Sequence, residues 1–115
     1  MGVRLSEGEI VDLLRTAFAD ASSSGDSQIV AAPGAGFKIV VFGYQIVNGG
    51  TANNVRFRSA TNSITSLKAL AINGGSNVKP GVIPLFECNA NEALNINLSG
   101  ATAVGVDVQY LIARV

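Results

Sequence analysis

GFKIVVFGYQIV, residues 36–47, is the longest run of β-branched and aromatic residues in the chain and is bounded by turn-forming residues on both sides. Its composition predicts a central β-strand. Side chains alternate along a strand, so Phe37, Ile39, Val41 and Val47 fall on one face and Val40, Phe42, Tyr44 and Ile46 on the other. Both faces are apolar, and one sheet cannot cover both. A second sheet, a helix or a neighbouring subunit must lie on each, which predicts a small sandwich that completes its burial by assembling.

Working outward, strand-like runs alternate with turns. QIVAA (28–32) precedes the turn PGAG (33–36), and the pattern predicts a hairpin with the central strand. NVRFRSA (54–60) places Val55 and Phe57 inward and Arg56 and Arg58 outward. ITSLKALAI (64–72) follows, and VIPLFEC (82–88) is interrupted by Pro84, which predicts an edge or bulged strand. In ALNINLS (93–99), Leu94, Ile96 and Leu98 face in; in AVGVDVQYLIARV (103–115), Val104, Val106, Val108, Tyr110 and Ile112 share a face. Asn48-Gly49-Gly50 and Asn73-Gly74-Gly75 are expected to supply positive φ at reversals. The expected fold is mainly β: a single jelly-roll-like antiparallel β-sandwich over residues 28–115.

Ahead of it, SEGEIVDLLRTAFADA (6–21) sets Ile10, Leu13, Leu14, Ala17 and Phe18 at helical spacing. Ser6 and Glu9 form a capping box, so the reading is one N-terminal amphipathic helix. SSSGDS (22–27) reads as a flexible linker. Residues 1–27 are therefore expected to form an arm, whose Ile10, Leu13, Leu14 and Phe18 need an apolar partner and are candidate interface residues.

Composition narrows the function. Charged residues are 14% of the chain, below the roughly 25% of ordinary soluble domains, which favours a surface partly covered by partners. The formal net charge is zero, so the basic excess of a nucleic-acid-binding surface is missing. No apolar run approaches a membrane span. With no histidine and a single cysteine, Cys88, neither a Ser-His-Asp or Cys-His constellation nor the usual zinc spacing can be written. Cys88 reads as a small buried hydrophobe. Glu87 and Glu92 flank a short loop and are the one carboxylate pair worth weighing for glycosidase chemistry or calcium. Arg56 and Arg58 form a short basic ladder, a candidate contact for an acidic partner surface. The expectation is a non-enzymatic protein without catalytic residues, cofactor or metal.

The runs KIVVFGYQIV, VRFRSA, ALAINGG and PLFECNANEALNINLSG, with the closing YLIARV, resemble the small β-sandwich modules of tailed-bacteriophage virions. The most diagnostic segment is Asn91-Glu92-Ala93-Leu94-Asn95-Ile96-Asn97-Leu98-Ser99, similar to the G-E-A-L-x-L-x-L-S of such modules, with Asn91 where glycine is usual. The resemblance covers residues 28–115 and implies a capsid decoration (cement) protein, or a tail or fibre module. It further implies a homotrimer that bridges major capsid protein subunits on the capsid exterior, made in the host cytoplasm. A carbohydrate-binding sandwich is the alternative from another class. It would ordinarily present exposed aromatic platforms, whereas the chain has no tryptophan and two tyrosines, Tyr44 and Tyr110, both on apolar strands.

Overall fold

The computed structural model describes residues 13–115. Its strands in chain order are β1 (Arg15–Ala21), β2 (Gly25–Val30), β3 (Phe37–Asn48), β4 (Asn53–Ser59), β5 (Asn62–Ser63), β6 (Lys68–Leu70), β7 (Gly75–Val78), β8 (Phe86–Glu87), β9 (Leu94–Leu98) and β10 (Val104–Arg114). They form two five-stranded sheets. The first has the order β1-β10-β3-β7, with β8 also on β3; the second has β2-β9-β4-β5, with β6 also on β4. Every pairing is antiparallel. The fold is mainly β and sandwich-like, with successive segments of chain passing back and forth between the sheets.

The alternating patterns place the core. Leu94, Ile96 and Leu98 of β9, Val55 and Phe57 of β4, and Val104, Val106 and Val108 of β10 are all buried between the sheets. Phe57 sits at the centre, with its ring 5.2 Å from that of Tyr44 in an edge arrangement and 4.9 Å from that of Phe86. Such pairs add specificity to the area they bury.

The central strand departs from simple alternation at one point. Gln109 pairs with Gly43, but Tyr110 pairs with Val41, so Phe42 is an extra residue on β3. This β-bulge inverts the facing of everything beyond it. Ile39 and Val41 enter the core before the bulge and Tyr44 and Ile46 after it, while Val40, Phe42 and Val47 lie on the outer face.

Several expectations are corrected. The helix predicted over residues 6–21 is a strand over Arg15–Ala21; residues 1–12, Ile10 among them, lie outside the described residues. RTAFADA also reads with period two. Pairing with β10 turns Ala17, Ala19 and Ala21 to the core side and Thr16, Phe18 and Asp20 outward. The ladder satisfies backbone groups along β10, and this tertiary gain overrides the helix propensity of the alanines. Of residues 22–27, Ser22–Ser24 link the two sheets and Gly25 opens β2. The hairpin expected between QIVAA and the central strand is also absent, because β2 pairs with β9 and β3 with β10. VIPLFEC contributes only Phe86–Glu87 to a sheet. At the glycine turns, positive φ falls on Asn73 (57°) but on none of Asn48, Gly49 and Gly50. Gly49 instead permits close approach, since a Cβ there would lie 2.8 Å from the Ala103 carbonyl oxygen.

Because Phe57 is fully buried between two aromatic neighbours, Phe57→Ala is expected to cost about 3–5 kcal/mol of stability. Urea unfolding should show a lower midpoint with an unchanged slope.

Candidate interaction surface

The outer faces of the two sheets differ in chemistry. On the sheet containing β4, the outward positions are Asp26 and Gln28 of β2, Asn95 and Asn97 of β9, Asn54, Arg56 and Arg58 of β4, Ser63 of β5 and Ala69 of β6. Apart from one alanine, the row is polar and internally connected. Arg58 forms an ion pair with Asp26 at 3.1 Å, Asn97 Nδ2 donates to Asp26 at 2.9 Å, and Arg56 donates to Ser63 Oγ at 3.2 Å. The basic ladder is therefore present, but the charge of Arg58 is matched within the chain.

The outer face of the other sheet is apolar at its middle. Val40 and Phe42 of β3 face outward yet are buried, and Leu111, opposite Val40, is half-buried. Part of the cover comes from the segment between β7 and β8, Lys79–Leu85. It crosses the sheet at Gly43, where a Cβ would lie 2.7 Å from the Pro80 nitrogen, and returns to the edge through the hydrogen bond from Leu85 N to Val41 O. The segment leaves its own apolar side chains in solvent: Val82, Ile83 (75% exposed) and Leu85. On the sheet itself Val47 is 49% and Phe18 70% exposed, interleaved with exposed Asp20, Gln45 and Asp107 on the same face. A lone exposed apolar residue is ordinary, but this side of the molecule collects several. A Lys38–Glu87 ion pair of 2.9 Å sits at its margin.

Of the candidate interface residues, Phe18 lies on this side, and Leu13 (54% exposed) is two residues ahead of β1. Leu14 is half-buried. Arg56 and Arg58 are on the opposite sheet, so the structure does not unite them with Phe18. Sequence reasoning missed Val47, Val82, Ile83 and Leu85. The signal for the last three was the pair of prolines, Pro80 and Pro84, which keeps that apolar run out of a ladder.

Glu87 and Glu92 do not act as a pair. Glu87 is engaged with Lys38, whereas Glu92 accepts from Ser59 Oγ at 2.6 Å and from Asn89 Nδ2 at 3.0 Å. Ser59 Oγ also accepts from Asn89 N at 2.9 Å, which latches the Cys88–Glu92 loop to the end of β4. The Ser59 hydrogen bond, followed by that from Asn89, holds the Glu92 carboxyl below its ordinary range. Beside it, burial pushes the Cys88 thiol up to about 11; a hydrogen bond with Ser59 opposes the shift and the Glu92 and Glu87 charges add to it. Such a thiol is protonated, and so a poor nucleophile, at neutral pH. Among the described residues no cluster of three or more Cys, Asp or Glu side chains is placed to hold a metal ion.

An open cleft of about 510 Å³ at the β1–β2 corner is lined by Arg15, Ala17, Ile29, Val30, Tyr110 and Ile112, with Ala31 and Pro33. It offers one cation and one phenol on an apolar wall, without a carboxylate or thiol to move a proton.

Comparison of the chain with protein-family models, with curated proteins and with solved structures finds no match in any of the three.

Two outcomes follow from the latch. Cys88 should resist alkylation at about pH 8 in the folded protein and react only after denaturation, read by mass spectrometry. Because the Glu92 pKa is lowered on folding, its contribution is present above the ordinary glutamate range and lost as pH falls through the folded value. Glu92→Gln should therefore shrink the fall in melting temperature between about pH 6 and about pH 3.

Proposed function

We propose that this protein is a non-enzymatic structural module of a tailed-bacteriophage virion. In this reading it is a decoration (cement) protein on the capsid exterior that associates with itself and bridges major capsid subunits. The observation that carries the reading is the asymmetry of the sandwich: one outer face is a connected polar network suited to water, and the other sets exposed Phe18, Val47, Val82, Ile83 and Leu85 among polar Asp20, Gln45 and Asp107. A side of that kind suits burial against a protein lattice.

The strand order supports the same reading. β1 lies beside β10, and β2 beside β9, while β3 and β4 pair on the far sides of β10 and β9. This order favours a jelly-roll reading of the sandwich, an architecture that recurs in viral capsid and lectin domains. Asn91 fits as well. Its φ of 52° is in the left-handed region, where the related modules use glycine and where asparagine is the next best residue.

Function then rests on geometry. A homotrimer touching several shell subunits at once converts weak contacts into firm attachment. A protein that binds only the assembled shell raises the stability of that shell by mass action, by about 2.7 kcal/mol at a hundredfold excess over Kd. Capsids prepared with the protein should release DNA at a higher temperature than capsids without it. An unchanged release temperature at full occupancy removes the stabilising role. Occupancy confined to the tail points to a tail or fibre module, and saturable binding on a glycan array points to the carbohydrate-binding alternative.

A further inference from the structure

Strand β1 occupies one edge of its sheet, and among the described residues nothing pairs with its outer side. Exposed edges invite further strands, and proteins ordinarily blunt them with proline, lysine, bulges or short length. The other edges here are blunted. β7 and β8 offer four and two residues, separated by a segment carrying Pro80 and Pro84. β5 and β6 have two and three residues. β2 opens on Gly25 and is irregular between Gln28 and Val30. β1 is long and unbroken, and its charges are confined to Arg15 and Asp20 near its two ends. It runs for seven residues, RTAFADA, without glycine, proline or lysine, and pairs with β10 without a register break.

We propose that β1 is a self-recognition edge that pairs antiparallel with β1 of a second copy, across a two-fold axis at Phe18. Three features of the strand fit this occupant. Directly opposed residues must share a face, so the axis falls on a residue, and only an axis at Phe18 pairs all seven positions. That register sets Phe18 against the partner's Phe18 on the outer face, giving a 70% exposed aromatic, whose neighbour on β10 is Asp107, an apolar neighbour on its other side. It also sets Thr16 opposite the partner's Asp20 on the outer face and Arg15 opposite the partner's Ala21 on the inner face. Parallel pairing would instead align Arg15 with Arg15 and Asp20 with Asp20. On the inner face Ala17 meets the partner's Ala19, and these small side chains permit close approach. The two sheets then continue into one another.

The contact goes beyond the capsid role and does not depend on it. If copies also associate in threes through another surface, the assembly contains six. Sedimentation of the full chain, 11.8 kDa per copy, should therefore give two or six copies at micromolar concentration, and one or three copies overturns the proposal. Phe18→Lys places like charges on the axis at an exposed position and should weaken the two-fold association at least about tenfold while far-UV circular dichroism is unchanged. Association that survives Phe18→Lys overturns the proposal. Phe18→Asp should fail alone in the same way, and an equimolar mixture of the two variants should recover a heterodimer. A mixture that associates no better than either variant alone overturns the Phe18 register, whereas recovery is not expected from a residue that merely supports the fold.

Discussion

The structure depends on the ladder between β3 and β10, which runs from Val104 against Asn48 to Arg114 against Phe37. These are the two longest strands, and between them they supply Ile39, Val41, Tyr44, Ile46, Val104, Val106 and Val108 to the core. Their outer flanks carry β1 on one side and β7 and β8 on the other. The bulge at Phe42 fixes how the ladder distributes its apolar residues. Without the extra residue, Tyr44 and Ile46 would turn outward and Gln45 and Val47 inward, placing a polar amide in the core. With it, the core receives only residues that pack, and the surplus apolar surface moves to the outer face.

That surplus is handled locally in two ways. At Gly43 the chain brings Pro80 of the Lys79–Leu85 segment against its own sheet, which is possible because the glycine leaves room for it. Farther along β3, Gly75 meets the Ile46 carbonyl so closely that any side chain there would displace β7. The glycines thus set how near the covering segments can come. The opposite sheet presents polar side chains to solvent, with Asp26 accepting from both Arg58 and Asn97.

Much of this was legible in the sequence because the relevant strands are half-buried. β4, β9 and β10 alternate cleanly, and Val55, Phe57, Leu94, Ile96, Leu98, Val104, Val106 and Val108 are inward as the pattern required. β1 was misread because Ala17, Phe18 and Ala21 satisfy the helical period while Ala17, Ala19 and Ala21 satisfy the strand period. The choice between them lies in the free edge of β10, far away in the chain. The bulge left no mark either: an apolar run on both faces shows alternation but not a slipped residue. Phe18 is exposed on the outer face by the strand period of β1, not by the helical period on which the sequence reading placed it. The turn-rich segment between β7 and β8 hid its role because its apolar residues face outward without any ladder to order them.

The position of β10 in the chain also governs when the protein can fold. It is the last strand to be made, yet it lies between β1 and β3, the first two strands of its sheet. Until it emerges, β1 has no partner among the described strands and β3 lacks its principal one, so much of the sheet waits unpaired. Contacts between distant parts of a chain make folding slow and expose sticky intermediates. For a nascent polypeptide this means that the sheet cannot close until Val104–Arg114 has been made, and that a chain stalled before Val104 would expose β3 to any strand it met.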